Sequence, residues 1–286
     1  MTPEKANWSS YGLDEDDHAA LVAVGISGTA LCTLVGIDGS FSRRLGAQLA
    51  ILPDGSFAGS LADGCLEAQL RADCREAKSP QVRRYGRGSE QVDFRLPCGG
   101  GLDVLIDPAP DRAACATVVN ALADRRLAAL RLPSASPIDI RPYIPRLVVR
   151  VFGETAEVEA LRTLSGAAGI ACELVEMSCL SLGRASGLRP ADCWTAVVML
   201  FHDHEWEVAL LEEALASDAF YVGAQGGFNA RSARLAELER RGVGAEALAR
   251  LRSPIGVPSG SRSPQALALS VLAEVVGEYE RLRPHA

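Results

Sequence analysis

Hydrophobic positions follow two regimes along the chain. In the first, short apolar runs of different period succeed one another. Residues 14–24 predict a helix, with Asp14 or Asp16 able to cap it. Residues 29–37 and 46–52 are β-rich, the second run ending at the turn Pro53-Asp54-Gly55, and residues 57–60 can pair back across that turn. From residue 65 to 77, Leu66, Leu70 and Cys74 recur every fourth position, which puts them on one helical face. Short strands are predicted near Val82, near Val92 and over 102–106, then a helix over 112–123 and a strand over 127–132.

The second regime begins after Pro133, Pro137, Pro142 and Pro145, whose spacing reads as a linker over 133–145. Strands at 147–152, 170–177, 195–201 and 220–223 alternate with helices at 155–168, 205–215 and 229–241, and a long helix at 264–281 closes the chain. Such alternation implies a parallel sheet. The fold class is therefore α/β: an N-terminal α+β domain over 1–132, the linker, and a parallel-sheet domain over 146–286. No internal repeat is present.

Composition narrows the function classes. The chain has 286 residues, 48% hydrophobic and 23% charged, as expected of a soluble protein of two domains. A net charge of −7 argues against a nucleic-acid partner. Lys5 and Lys78 are the only lysines, which removes a P-loop and disfavours Schiff-base chemistry while leaving many arginine forks for oxyanions. Eight irregularly spaced cysteines without a secretory leader or a C-x-x-C pair predict reduced thiols in the cytoplasm. The apolar stretch 19–37 has the length of a membrane span, but an acidic run at 14–17 precedes it and Gly25-Ile26-Ser27-Gly28 breaks it, so no membrane segment is expected.

Two thiols carry the most chemical information. Cys65 in Gly64-Cys65-Leu66-Glu67 and Cys98 in Pro97-Cys98-Gly99-Gly100-Gly101 are set in glycine-rich turns, whereas Cys32 sits in an apolar run as a structural cysteine does. Cys65 falls where a helix begins, which favours thiolate, while Asp63 pushes the other way. A soft metal or sulfur ligand suits such a pair, provided that both turns lie at one end of a sheet; two small residues packed under tight turns is the alternative. Gly39-Ser40-Phe41-Ser42-Arg43-Arg44-Leu45-Gly46 reads as an anion cradle or as a solvated loop. Glu67 suits a helix N-terminus. Gly153-Glu154-Thr155 occupies the place of a dinucleotide loop but keeps only its first glycine, and Glu154 adds charge of the wrong sign for phosphate. Glu176 stands about where a ribose-binding carboxylate would. His202-Asp203-His204 is better read as a loop histidine pair beside a capping aspartate than as a metal site, and no G-x-S-x-G elbow points to a hydrolase.

These segments resemble the XdhC/CoxI family, accessory factors of xanthine dehydrogenase and related molybdenum hydroxylases. The resemblance rests on Gly39-Ser40, Arg43-Arg44, Gly46-Ala47, Gly64-Cys65-Leu66-Glu67 and Cys98-Gly99-Gly100 in the first half. In the second half it rests on His202-Asp203, Tyr221-Val222-Gly223-Ala224, Pro254-Ile255-Gly256, Pro264 and Ala273-Glu274. It implies a Rossmann-like second domain and a carrier that binds molybdenum cofactor, supports its sulfuration and hands it to the apo-subunit of a molybdenum hydroxylase. It also implies a cysteine desulfurase as a further partner, and a homodimer is the ordinary expectation for such domains. The residues this assigns to the cofactor are Arg43, Arg44, Gly64, Cys65, Glu67, Cys98, Gly99 and Gly100, with Cys65 and Cys98 toward the metal. Thr155, Ala156 and Gly226-Gly227-Phe228 depart from the family pattern at places that would hold a nucleotide phosphate, and Asp63 replaces a small residue. Those departures speak against the competing readings as an NAD(P)-dependent oxidoreductase; a docking scaffold without cofactor is the third reading.

Overall fold

The computed structural model describes residues 15–61, 64–89, 99–257, 261 and 263–282. The expected cap Asp14, the strand near Val92, Asp63 and Cys98 lie outside the described residues. The chain divides into two compact units, residues 1–145 and 146–284, with residues 285–286 grouped with the first.

The first unit contains α1 (Glu15–Ala23), β1 (Ala30–Asp38), β2 (Gln48–Ile51), β3 (Phe57–Gly59), α2 (Gly64–Glu76), β4 (Gln81–Gly86), β5 (Gly101–Asp107), α3 (Arg112–Ala123), β6 (Ala128–Arg131) and β7 (Ile140–Tyr143). Five strands form one antiparallel sheet in the order β3-β2-β1-β5-β4, with β1 at the centre. Its apolar residues alternate in destination because side chains of a strand point to opposite faces. Leu31 and Val35 join the cluster formed with α1 and α3, including Leu21, Val24, Cys115 and Val118. Cys32 and Leu34 join Leu66 and Leu70 of α2 on the other face. A register shift between Leu34 and Gly36 interrupts the pairing with β5. The apolar stretch 19–37 is thus a short helix and a buried strand; no helix of the described residues is long and apolar enough to cross a membrane.

The proline-rich stretch corrects the linker reading. Residues 140–143 form β7, which pairs with β6 in a two-stranded antiparallel sheet. Arg141 is buried and its Nε donates to the Gly46 carbonyl at 2.9 Å, while the Tyr143 hydroxyl donates to Gln48 Oε1 at 2.6 Å. Pro142 is accommodated within this strand because an edge strand needs only half its amide donors. Their spacing in sequence therefore does not distinguish a linker from a folded strap.

The second unit contains β8 (Val148–Phe152), α4 (Ala156–Ala167), β9 (Ala171–Val175), β10 (Thr195–Met199), α5 (Glu207–Ala216), β11 (Tyr221–Ala224), α6 (Phe228–Arg240), α7 (Ala245–Ala249), β12 (Leu251–Arg252) and α8 (Pro264–Arg281). The strands form a wholly parallel sheet in the order β12-β11-β10-β8-β9. Val197, Met199 and Val222 face the core made with α5 and α6, and α4 packs on α8. Burial on both faces explains why β10 and β11 read as continuous apolar runs, whereas the edge strand β9 is largely exposed. The short α7 and β12 escaped the sequence reading because neither is long enough to establish a period. Ser263 caps α8 by accepting from the Ala266 amide, with Pro264 at the first turn.

Replacing Tyr143 by Phe leaves Gln48 Oε1 without this donor in a buried setting. The full-length Y143F protein is expected to lose about 1–2 kcal/mol of stability in urea unfolding. A midpoint equal to that of the parent would show that 133–145 is not integral to the first unit.

Candidate functional site

Antiparallel pairing brings several candidate residues to one end of the first sheet. Asp38 ends β1 opposite Gly101, the first residue of β5, and Gly86 ends β4 opposite that same glycine. On the other side, β2 begins at Gln48 opposite Thr33, and β3 ends at Gly59 opposite Leu49. The chain therefore leaves that end after Asp38, Gly59 and Gly86 and returns to it at Gln48 and Gly101. Gly39 has φ +95°, and a Cβ there would sit 3.5 Å from Gly100 Cα, so the arginine turn and the Gly99-Gly100 turn touch through backbone.

A chain of hydrogen bonds ties the arginine turn to the start of α2. Arg43 Nε donates to the Ser60 carbonyl at 3.2 Å. The Ser60 hydroxyl and the Leu61 amide both donate to Glu67 Oε1, at 3.1 and 2.8 Å. Glu67 lies in the first turn of α2 and reaches back to the loop that precedes it. Its carboxylate is thereby committed to holding the loop. Gly64 and Cys65 open the same helix and are exposed, as are Arg44 and Gly99, whereas Gly100 is buried. Among the described residues, chain neighbours aside, no atom lies within 4 Å of the position a Cβ would take at Gly64 or Gly99. The structure thus brings Arg43, Gly64, Cys65, Glu67, Gly99 and Gly100 to one end of one sheet.

A charged network behind these turns was not evident from sequence. Arg84 in β4 donates to Asp38 Oδ2 at 2.9 Å and to Asp103 Oδ2 at 2.8 Å, and its Nε donates to the Arg87 carbonyl at 2.9 Å. Arg87 also pairs with Asp38, and its amide donates to the Gly100 carbonyl at 2.8 Å. The hydrogen bond from Arg87 is the main reason that the Asp38 carboxyl is held below its ordinary value. Asp38 stood next to the Gly39 turn in sequence, but Arg84 and Arg87 are strand-end residues whose partners only the register supplies.

In the second unit, the chain order reverses between β8 and β10, the place where open parallel sheets hold ligands. Gly153 follows β8 with φ +134°, and a Cβ there would meet the Leu200 carbonyl at 2.6 Å. Thr155 Oγ1 donates to that carbonyl at 3.3 Å, drawing the two loops together. Glu157 and Glu159 lie in the first turn of α4, a helix end that would otherwise attract anions. His202 Nε2 lies 3.7 Å from Glu157 Oε2, and Asp203 caps the next turn by accepting from the Glu205 amide at 3.0 Å. Among the described residues no three His, Cys, Asp or Glu side chains group as metal ligands.

Beside this crevice stands a buried cluster that sequence reasoning missed. Arg234 of α6 donates to Glu207 Oε2 through Nε at 2.9 Å and through Nη2 at 2.6 Å. Its other contacts reach Ser253 Oγ at 2.8 Å and the Gln225 carbonyl at 2.8 Å. His204 Nδ1 lies 3.2 Å from Glu207 Oε2. One guanidinium therefore joins the turns after β10, β11 and β12. Burial raises the Glu207 carboxyl above its ordinary value, and Arg234 opposes that rise. Glu274 plays a smaller version of this part: its Oε2 accepts from the Tyr221 hydroxyl at 2.8 Å and the Gly256 amide at 2.6 Å. Three segments that carried the family resemblance thus meet at one carboxylate. Their spacing in sequence concealed this.

Comparison with known proteins follows the same division. The XdhC Rossmann domain family matches residues 149–275, and the XdhC and CoxI family matches residues 27–86. The molybdenum cofactor insertion chaperone PaoD of Escherichia coli is 30% identical over 285 residues, covering 91% of this chain and 88% of that protein. The uncharacterized protein YqeB of Escherichia coli is 26% identical over 266 residues; 86% of this chain is covered but only 43% of YqeB. The crystal structure of a xanthine dehydrogenase from Bacillus halodurans superposes with a TM-score of 0.72 over 93% of this chain and 96% of that one, at 17% identity, which speaks to the fold.

Removing the guanidinium of Arg234 strands a buried carboxylate. Arg234→Met is expected to cost about 3–5 kcal/mol. A carboxyl whose folded value is raised holds its proton more tightly when folded, so its contribution is full below the unfolded value of about 4.3 and is lost as pH rises through the folded value. Without Arg234 only His204 opposes that rise, and the variant should lose less stability at pH 5 than at pH 8, measured by urea unfolding at both. An equal loss at both would show that Glu207 is not the group left unpaired.

Proposed function

The chain belongs to the XdhC and CoxI family, and from that we propose that it serves in molybdenum-cofactor maturation. In the full reading it binds the cofactor, supports sulfuration of its metal and inserts it into a xanthine dehydrogenase-type molybdenum hydroxylase in the cytoplasm. It acts as a carrier. The observation that carries the reading is the likeness to PaoD along 91% of the chain, through both units.

The chemistry of the first unit supports it. The cofactor is a phosphorylated pterin whose dithiolene sulfurs hold molybdenum, so it offers an oxyanion and a soft metal–sulfur end. Arg43 and Arg44 suit the oxyanion, and the exposed thiol of Cys65 suits the metal–sulfur end. Cys98 joins Cys65 in this proposal on its sequence context alone. The clear space over Gly64 and Gly99 would let a broad ligand lie against backbone, with Gly100 buried beneath and Glu67 holding the loop that presents Cys65. The apo-subunit of the hydroxylase is the proposed recipient, a cysteine desulfurase the proposed sulfur source, and the working form a homodimer. In the second unit, the acidic first turn of α4 favours the view that NAD(P) is not a ligand.

Purified protein mixed with free molybdenum cofactor, or separately with NADH and NADPH, is expected after desalting to retain the cofactor and neither nucleotide. Arg44→Ala should weaken retention roughly tenfold or more, the worth of a charge-assisted hydrogen bond. The paired substitutions Cys65→Ser and Cys98→Ser should lower it further. Undiminished retention in the paired variant would remove the thiols from the site. Retention of nucleotide alone would favour an oxidoreductase, and retention of nothing a docking scaffold.

A further inference from the structure

Two thiols outside the proposed cofactor site lie against each other in the first unit. Cys32 of β1 is fully buried and Cys74 of α2 is half-buried, and their sulfurs stand 3.5 Å apart as free thiols. We propose that Cys32 and Cys74 form a dithiol that oxidation converts to a disulfide, tying α2 to the central strand of the sheet.

The geometry is close to what the bond needs. A disulfide requires the sulfurs at about 2.05 Å, so they must approach by about 1.5 Å, within reach of modest side-chain rotation at both residues. The facing elements are already held in place beside the pair. Asp73, next to Cys74, accepts from the Tyr85 hydroxyl of β4 at 2.5 Å, and its other oxygen accepts from Gln69 at 3.0 Å and pairs with Arg83 at 2.7 Å. That anchoring keeps the end of α2 over the sheet while a thiol turns.

The two sulfurs have different parts. Cys32 has no exposed surface, and the neighbouring Cys74 together with burial holds its thiol protonated well above the ordinary value. Cys74 is only partly buried, so of the two its sulfur is the one assigned to meet the oxidant. With hydrogen peroxide, the Cys74 thiolate takes one peroxide oxygen to give the sulfenic acid, and the other leaves as hydroxide. The Cys32 thiol then attacks the Cys74 sulfur and gives its proton to the sulfenic oxygen, which departs as water as the new S–S bond forms. In total two thiols lose two electrons and two protons, and one peroxide becomes two waters. A thiol reductant reverses the change. The closed loop runs from Cys32 to Cys74 and contains Arg43, Arg44, Gly64, Cys65 and Glu67. The cross-link would thus brace the segment that carries the proposed cofactor residues, although the proposal does not depend on that role.

The test uses the reduced full-length protein treated with hydrogen peroxide, alkylated after denaturation and digested with trypsin. Cleavage after arginine and lysine separates Cys32 in residues 6–43, Cys65 in 45–71 and Cys74 in 72–75, so each thiol is read independently. The expected product is peptide 6–43 joined to 72–75, lost on reduction and absent from Cys74→Ser and from Cys32→Ala. The midpoint of thermal unfolding should rise with the cross-link and fall back with reductant. Recovery of Cys74 as sulfinic acid with Cys32 still alkylatable would overturn the proposal. So would a cross-link from either residue to a different cysteine, or a cross-link that lowers the midpoint.

Discussion

Strand β1 is the constraint on which the first unit depends. It is hydrogen-bonded along both edges and covered on both faces, by α1 and α3 on one side and α2 on the other. Side-chain alternation leaves no freedom in this arrangement: a shift of one residue would send Leu31 and Val35 to the wrong core and Cys32 and Leu34 to the other. Once its register is set, Asp38 must emerge at the end where β5 starts and β3 and β4 stop. The arginine turn, the start of α2 and the Gly99-Gly100 turn then lie toward the same end of the sheet, because antiparallel neighbours exchange their ends.

Charge organises that end in layers. Arg84 and Arg87 are bound to Asp38 and Asp103 and stiffen the strand ends. Arg43 is hydrogen-bonded to the loop that Glu67 holds. What faces outward is Arg44, the Cys65 thiol and bare glycine backbone. This supports a site built to receive a ligand with an anionic part and a soft part. It is a different use of arginine from that in the second unit, where Arg234 is buried and saturated by Glu207, Ser253 and the Gln225 carbonyl. There the guanidinium fastens three strand-end turns, while the acidic start of α4 makes a poor phosphate seat.

Legibility varied with the range of the interaction. The helices over 112–123 and 264–281 have the expected bounds, and each starts at a local cap, Asp111 and the Ser263-Pro264 pair. The reading of Asp203 as a cap was likewise local, and the structure has that bond. The prolines of 133–145 misled because proline marks both linkers and edge strands; the buried bonds of Arg141 and Tyr143, made to residues far back in the chain, decide between them. Cys32 was legible as a buried residue, but nothing near it in sequence announced a second thiol at 3.5 Å.

The sequence by itself determined the two regimes of periodicity and, where a local cap is present, the bounds of helices such as 112–123 and 264–281, because each depends on neighbours within about one turn or one strand. Only the tertiary structure decided which residues share an end of a sheet, that Glu67 and Glu274 bind backbone, that Arg234 neutralises Glu207, and that Cys32 faces Cys74. Those pairings join residues tens of positions apart. They are set by strand register and by the need to satisfy buried polar groups, neither of which has a signature in local spacing.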